Sequence, residues 1–479
     1  MSQAEFRNFI NGEWVAGTSA IRNVNPSDLG DVIGEYSMAG TLQVDTAVEA
    51  AASAFPKWRD SSPQQRFEAL DRIGTELLAR AQELGDLLAR EEGKTLAEAK
   101  AEVNRAGHLF KYFASVAYGA TGETFQSLRD GVALRVEREA IGVVGVISPW
   151  NFPMAIPAWK IAPALAYGNT VVFKPAELVP GSAWALSEII SRSGLPAGVF
   201  NLVMGQGSEV GARIVTHPAI AGVTFTGSTP VGKRIGAQLF DRGARMQLEM
   251  GGKNPLVVLD DADLSLAVSC AIQGSFYSTG QRCTASSRLI VTDGIYDAFV
   301  DAMMQAMRGL CIGDARAPDS QIGPVASAQQ LSVDEHYIEL GRAQGATLAF
   351  GGERLNRATE GYYLSPALFV DAEPAMSICR DEIFGPIVAV QRVRDYDEAL
   401  LAANDCEFGL AAGLVSRDRN RIDHFCRNMQ AGMVQINLPT AGMDFHAPFT
   451  GRKGSSYGPP EKGSYCREFF TAAKVVHAS

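Results

Sequence analysis

Short apolar runs alternate with helical stretches through the middle of this chain, and that alternation constrains its fold more than any other feature. The runs at 141–147, 170–173, 199–203 and 222–226 are strand-length and largely apolar. Helical patterns near 157–167, 181–193 and 207–216 separate them. A strand buried on both faces reads as continuously apolar, and helical crossovers make neighbouring strands parallel. The pattern predicts a doubly wound α/β sheet, which binds ligands at the carboxyl ends of its strands. A second series follows from 255 to about 434, with strands expected at 255–259, 288–292, 346–350, 387–393 and 411–415. Ahead of both lies a helical region from Val44 to about Ala120, punctuated by Pro63 and Gly93. Phe9-Ile10-Asn11-Gly12-Glu13-Trp14 reads as a hairpin around an Asn-Gly turn. The segment 131–139 alternates like an exposed arm, and the tail at 469–476 is a candidate to pair with it.

A chain of 479 residues has room for two or three domains. Its net charge of −10 argues against a nucleic-acid partner, which requires a basic face. No apolar run approaches the roughly 18 residues needed to span a bilayer, and residues 1–11 carry no long apolar stretch of a secretion signal. The seven cysteines are dispersed, with no Cys-x-x-Cys pair and no Cys/His cluster at zinc spacing, so no metal site is expected. Dispersed, reduced thiols suit the cytoplasm.

Cys283 has a setting the other six lack. It sits in Ser278-Thr279-Gly280-Gln281-Arg282-Cys283-Thr284-Ala285, between a helical pattern and the strand expected at 288–292. A thiol on such a loop is placed as a nucleophile. Glu249, in Leu248-Glu249-Met250-Gly251-Gly252-Lys253, is the candidate base, because none of the six histidines lies beside Cys283 in sequence. Asn151, in Pro149-Trp150-Asn151-Phe152-Pro153, offers an amide for an oxyanion. Together the three suggest covalent catalysis on a carbonyl.

Gly227-Ser228-Thr229-Pro230-Val231-Gly232-Lys233-Arg234 has part of a P-loop pattern, but Arg234 stands where a magnesium-binding Ser or Thr belongs. Following a strand and opening a helix, it suits a dinucleotide pyrophosphate better. Gly205-Gln206-Gly207-Ser208-Glu209-Val210-Gly211 resembles the dinucleotide fingerprint with its last glycine one residue late. Lys174 and Glu177, just after an expected strand, stand where a ribose docks, and the Glu177 carboxylate would disfavour a 2′-phosphate.

These motifs, with Phe225-Thr226-Gly227-Ser228 and Glu382-Ile383-Phe384-Gly385-Pro386, resemble the NAD(P)-dependent aldehyde dehydrogenase superfamily over essentially the whole chain. The resemblance implies a Rossmann-type cofactor domain (1–118 and 140–251), an α/β catalytic domain (252–449) and a small β oligomerisation arm with the tail (119–139 and 450–479). It implies a homodimer or homotetramer. It makes Cys283 the nucleophile, Glu249 the general base and Asn151 an oxyanion donor. Lys174 and Glu177 would hold the adenosine ribose, Ser228 the pyrophosphate and Glu382 the nicotinamide ribose. Phe384 would place the nicotinamide, and Ile147, Ser148, Trp150, Gly207, Gly227 and Gly251 would complete the cleft. The implied cofactor is NAD, with NADP also admitted. Glu249 favours hydrolysis of a Cys283 thioester to a free acid over transfer to coenzyme A. Two positions depart from the family pattern: Thr450 replaces a usual Gly, and Met250 a more frequent Leu.

Around Cys283, and at Asn437-Leu438-Pro439-Thr440-Ala441-Gly442, the chain most resembles bacterial 2-oxoglutarate semialdehyde dehydrogenases, with succinate semialdehyde enzymes next. Either substrate carries a carboxylate that wants a cation. Arg282 and His446 are the candidates, with Phe152, Trp159, Tyr277 and Phe449 as pocket walls by family position. Two other readings compete. A non-catalytic homologue would be free to lose Cys283, Glu249 and Asn151, and all three are present. A cysteine hydrolase without cofactor leaves Lys174, Glu177 and Glu382 unexplained.

Overall fold

The computed structural model describes residues 6–119 and 122–479. The expected helical end at Ala120, and Thr121 of the expected arm, lie outside them. The first large sheet has eight strands. Their order is Glu13–Val15, Asn8–Ile10, Phe200–Leu202, Thr170–Lys174, Val143–Ile147, Ile220–Thr226, Arg245–Glu249 and Ser456–Tyr457. The five strands from Phe200–Leu202 to Arg245–Glu249 are parallel. Thr170–Lys174 lies on one side of Val143–Ile147, and Ile220–Thr226 on the other. The strand order therefore reverses there, and a crevice opens at the carboxyl ends of these three strands.

The period of two along a strand, with both faces buried, explains why these runs are largely apolar. Val144 and Val146 face a core shared with Ile156 and Phe110, whereas Val143 and Ile147 face a second core shared with Val44 and Val48. Helix Ala155–Ala166 covers the first face and helix Thr41–Arg59 the second. Among the helices preceding the sheet, Pro63 is the first residue of Pro63–Ala79, behind a Ser62–Gln65 capping box. Gly93 ends Ala81–Glu92 at φ 95°, and an added Cβ would press on Pro26 and Pro324 at 3.0 Å.

The second sheet has seven strands, in the order Thr347–Phe350, Ala367–Val370, Ile387–Val393, Ser286–Thr292, Asn254–Val258, Ala411–Val415 and Met433–Ile436. All five strands expected from sequence are present within two residues. Its alternate residues again feed two cores, Leu256 and Val258 into one, Val257 and Leu259 into the other. The hairpin at Asn11-Gly12 forms, with φ 53° and 84° at its two turn residues. The tail strand Thr471–Ala478 pairs antiparallel with Ala133–Ala140, and Gly122–Gln126 completes this three-stranded arm.

The segment 450–479, grouped with the arm on sequence, divides in three. Arg452–Lys453 pairs with Phe408–Gly409, Ser456–Tyr457 closes the edge of the first sheet beside Glu249, and only Thr471–Ala478 joins the arm. Two-residue strands carry no readable alternation, which is why the sequence did not separate them. Thr450 takes no left-handed backbone, so its side chain fits where a glycine was expected. Among the described residues, no helix is long and apolar enough to cross a membrane, and no cluster of three His, Cys, Asp or Glu side chains could hold a metal.

Candidate active site

Cys283 follows a turn that only strong support can hold. Helix Leu264–Phe276 ends, and Ser278, Thr279 and Gly280 then take φ of 53°, 57° and 67° in succession. Left-handed backbone is costly for Ser and Thr, so neighbours must fix it. Ser278 Oγ donates to Glu98 Oε1 at 2.9 Å, and Thr279 Oγ1 to Gly323 O at 3.1 Å. A Cβ on Gly280 would meet Gly385 O at 2.4 Å, so this position demands glycine. Asn254 Nδ2 donates to Cys283 O at 2.8 Å. Burial, with the charges of Glu382 and Glu249, pushes the Cys283 thiol up to about 12.

Asn151 is tied to the same loop. Its Nδ2 donates to Gln281 O at 3.0 Å, which uses one of two amide protons. Its own carbonyl accepts from Lys94 Nζ at 2.5 Å. Lys94 is in turn paired with Glu102 at 2.7 Å, and Glu102 Oε1 accepts from Met154 and Ala155 N–H at the start of helix Ala155–Ala166. Asn151 thus rests on a buried charge network rather than on a loop alone.

Glu249 is the last residue of strand Arg245–Glu249, just ahead of the glycine pair at 251–252. Its Oε2 accepts from Ser456 Oγ at 2.5 Å. Burial first, and then the Glu461 charge, hold its proton well above the usual carboxylate range. Glu461 forms a buried ion pair with Lys160, which also donates to Thr224 Oγ1 at 3.0 Å. A carboxyl with raised proton affinity is suited to general-base work near neutral pH.

A cavity of about 170 Å³ reaches Cys283. Phe152, Trp159 and Phe449 wall it, with the Trp159 and Phe449 rings stacked at 5.5 Å. Glu98, Arg105, Arg282 and Lys462 also line it.

A second set of groups gathers at the strand reversal. Ser148 follows Val143–Ile147, and its buried Oγ has no partner. Ser228 caps helix Thr229–Asp241 without a side-chain hydrogen bond to it. Both hydroxyls, and the helix's first N–H groups, fit a phosphate. Lys174 Nζ lies 3.4 Å from Glu177 Oε1, which also accepts from Gly207 N–H. The other Glu177 oxygen remains for sugar hydroxyls. Glu382 Oε1 accepts from Gly252 N–H at 3.0 Å, and a Cβ on Gly251 would strike the Glu382 carboxyl at 2.0 Å. Burial pushes the Glu382 carboxyl up to about 7. Trp150 and Phe384 meet edge to face at 5.4 Å, with Phe384 held at φ 65°. Gly227 N–H donates to Glu249 O at 3.1 Å, joining this crevice to the base. The orphaned Ser148 hydroxyl, the open Ser228 cap and the sugar-type carboxylates fit a dinucleotide.

The model of the aldehyde dehydrogenase family matches residues 14–476. This chain belongs to that family. It is 44% identical to the alpha-ketoglutaric semialdehyde dehydrogenase of Bacillus subtilis, covering 99% of this chain and 98% of the relative. It is 38% identical to the 2,5-dioxopentanoate dehydrogenase of Saccharolobus solfataricus, covering 97% and 98%. Among solved structures, the betaine aldehyde dehydrogenase of Staphylococcus aureus in complex with NAD+ superposes with a TM-score of 0.96 at 32% identity, covering 98% and 94%. The protein is an NAD(P)-dependent aldehyde dehydrogenase, acting on small-molecule aldehydes.

In this aldehyde dehydrogenase the cavity around Cys283 takes Phe152, Trp159, Arg282 and Phe449 from the sequence-based set, and leaves out two. Tyr277 precedes the left-handed turn and packs on the core of the second sheet, lining a shallow cleft with Val268 and Leu310 instead. His446 lies in a segment whose residues alternate, which turns Phe449 inward and His446 out to solvent. Arg282 does reach the cavity, but its guanidinium is paired with Glu98 at 2.7 Å. Sequence reasoning passed over Arg105 and Lys462. Arg105 sits mid-helix in Leu96–Val116 with no local signal. Lys462 follows Pro459-Pro460-Glu461, a loop signature that marked it without revealing its direction.

Proposed function

We propose that the enzyme oxidises a short, carboxylate-bearing semialdehyde to the free acid, with 2-oxoglutarate semialdehyde the first candidate and succinate semialdehyde the second. The observation that carries this reading is a small aromatic-walled cavity that brings cationic side chains to Cys283. The names of the relatives from B. subtilis and S. solfataricus support the same substrate class.

Cys283 attacks the aldehyde carbon, and its proton passes to solvent as the carbon–sulfur bond forms. The carbonyl oxygen gains the displaced electron pair, and the free Asn151 amide proton with the Cys283 N–H stabilises it. Glu382, Phe384 and the Ser148–Ser228 crevice would hold a nicotinamide dinucleotide, which would supply the hydride acceptor when bound. Cys283 is left as a thioester. Glu249 then swings from Ser456 toward the sulfur and removes a proton from the water that attacks the thioester carbon. The acid departs, and Cys283 recovers its proton. The Lys174–Glu177 pair holds the adenosine ribose, with the Glu177 carboxylate favouring NAD over NADP.

The cofactor domain comprises 1–118 and 140–251 and the catalytic domain 252–449 in this reading. The arm builds a homodimer or homotetramer. Its support is the wholly exposed strand Gly122–Gln126, with Phe125, Leu128 and Val475 open to solvent, an edge that a second copy would cover. The seven unpaired cysteines agree with a cytoplasmic enzyme.

A panel of C3 to C6 semialdehydes and uncharged aldehydes, with NAD and with NADP, tests the reading through kcat/KM. It predicts the highest value for a C4 or C5 semialdehyde with NAD. A preference for long or uncharged aldehydes contradicts it.

A further inference from the structure

The cavity holds three cations, and their partners divide them sharply. Arg282 is neutralised by Glu98. Lys462 is not neutralised in this way, although it is 1% exposed. Its ammonium has three protons, and the one hydrogen bond it makes is to the Asp444 carbonyl at 3.1 Å. Beneath it lie the Trp159 and Phe449 rings, with centroids 5.3 and 5.4 Å from Nζ. Lys253, buried beside Glu382, also lacks a hydrogen-bond partner but does not line this cavity, and two other buried lysines near the site are better served. Lys94 has the Glu102 carboxylate and Lys160 has Glu461. Lys462 also sits on left-handed backbone, φ 59°, so the fold accepts strain to hold it there.

Arg105 approaches the same cavity from helix Leu96–Val116. Among the described residues it makes no hydrogen bond and no ion pair. The two cations repel each other: the Arg105 charge, after burial, is the next cause that draws protons off Lys462, whose ammonium is pushed down to about 8. Two unpaired cations facing one small cavity are costly unless an anion joins them. The bland alternative is an aliphatic stem covering aromatic rings with its head in water. A head group as buried as that of Lys462 does not fit it.

Resting on the reading that Cys283 attacks an aldehyde in this cavity, we infer that Arg105 and Lys462 together form the clamp for the distal carboxylate of the substrate. Arg105 presents a two-pronged donor and Lys462 a point charge over an aromatic floor. The aldehyde end then faces Cys283, so the clamp selects substrates by the span from carbonyl to carboxylate. Arg282 serves the loop through Glu98 and is outside the clamp.

The test compares succinate semialdehyde with butanal, of equal chain length and without charge, in the wild type and in Arg105→Met, Lys462→Met and Arg105→Lys. The readout is the ratio of kcat/KM for the charged to the uncharged aldehyde. Loss of one charge-assisted contact should lower that ratio by roughly 10- to 100-fold in each Met variant, mainly through KM. Arg105→Lys should fall in between. Glutarate, which has no aldehyde, should slow alkylation of Cys283 in the wild type and lose this effect in the Met variants. An unchanged ratio with glutarate protection retained overturns the clamp. A wild type that oxidises butanal but shows no preference for the charged aldehyde overturns the proposed substrate class as well, and a wild type that oxidises neither overturns the reading of Cys283.

Discussion

The state of the Cys283 thiol gives a prediction that can be worked through in numbers. Burial and the carboxylates of Glu382 and Glu249 push it up to about 12. At pH 7.5 the thiolate fraction is then about 3 × 10⁻⁵, against about 0.1 for a free cysteine of pKa about 8.5. The population falls by about 3,000-fold. A thiolate of higher pKa is intrinsically more nucleophilic, with a slope of about 0.4–0.5, and this returns about 40-fold. The net expectation is alkylation by iodoacetamide about 80-fold slower than for free cysteine. Because the thiol must lose a proton, the rate should climb about tenfold per pH unit from 7 to 10 without levelling. Glu382→Gln removes the larger carboxylate contribution and should accelerate it at every pH. Adding NAD should do the same by placing a positive ring near the sulfur. The assay is iodoacetamide incorporation at Cys283, followed by peptide mass. A rate that reaches a plateau below pH 9 in the cofactor-free enzyme would refute the reasoning, because it would mean that the site stabilises the thiolate by itself.

Other expectations follow from the same geometry. Asn151→Ala removes the side-chain donor to the oxyanion and should lower kcat by about 100- to 1,000-fold, measured on the preferred aldehyde. Gly251→Ala drives a methyl group into the Glu382 carboxyl, which should raise KM for NAD about tenfold while leaving the thiol alkylation profile close to that of the wild type. Lys160→Met leaves Glu461 buried and unpaired, at a cost of about 3–5 kcal/mol in denaturant unfolding. The double variant Lys160→Met/Glu461→Leu should regain most of that loss, and a double variant no more stable than the single would contradict this account of the pair.

The parallel cores were legible because burial on both faces leaves a strong mark on composition. The strand at 143–147 is apolar throughout and that at 170–174 is apolar at Val171, Val172 and Phe173, and the sequence located both to within two residues. Strand Arg245–Glu249 was not, since Arg245 and Gln247 serve the tail through hydrogen bonds to Thr471 O and Pro460 O and break the apolar run. The hairpin of Ser19–Asn25 with Asp28–Met38 was also unread, its exposed outer face leaving little periodicity. At the site, residues whose role depends on chemistry and local motif, Cys283, Asn151 and Glu382, stood out. Residues whose role depends on direction did not. Tyr277 and His446 were expected in the pocket and face elsewhere, while Arg105 and Lys462 reach it from a helix and a loop far apart in the chain. Side-chain direction across such distances is set by packing that a motif does not encode.

The central claim is that Cys283 carries the acyl group and that Glu249 releases it. Intact-mass measurement on Glu249→Gln, after mixing with NAD and a semialdehyde, tests it most directly. The account predicts an adduct equal to the substrate less two hydrogens, mapped to Cys283, persistent in water and discharged by hydroxylamine, with steady-state turnover down by about 100- to 10,000-fold. A Glu249→Gln enzyme that turns over at the wild-type rate, or an adduct that maps to a residue other than Cys283, would contradict it.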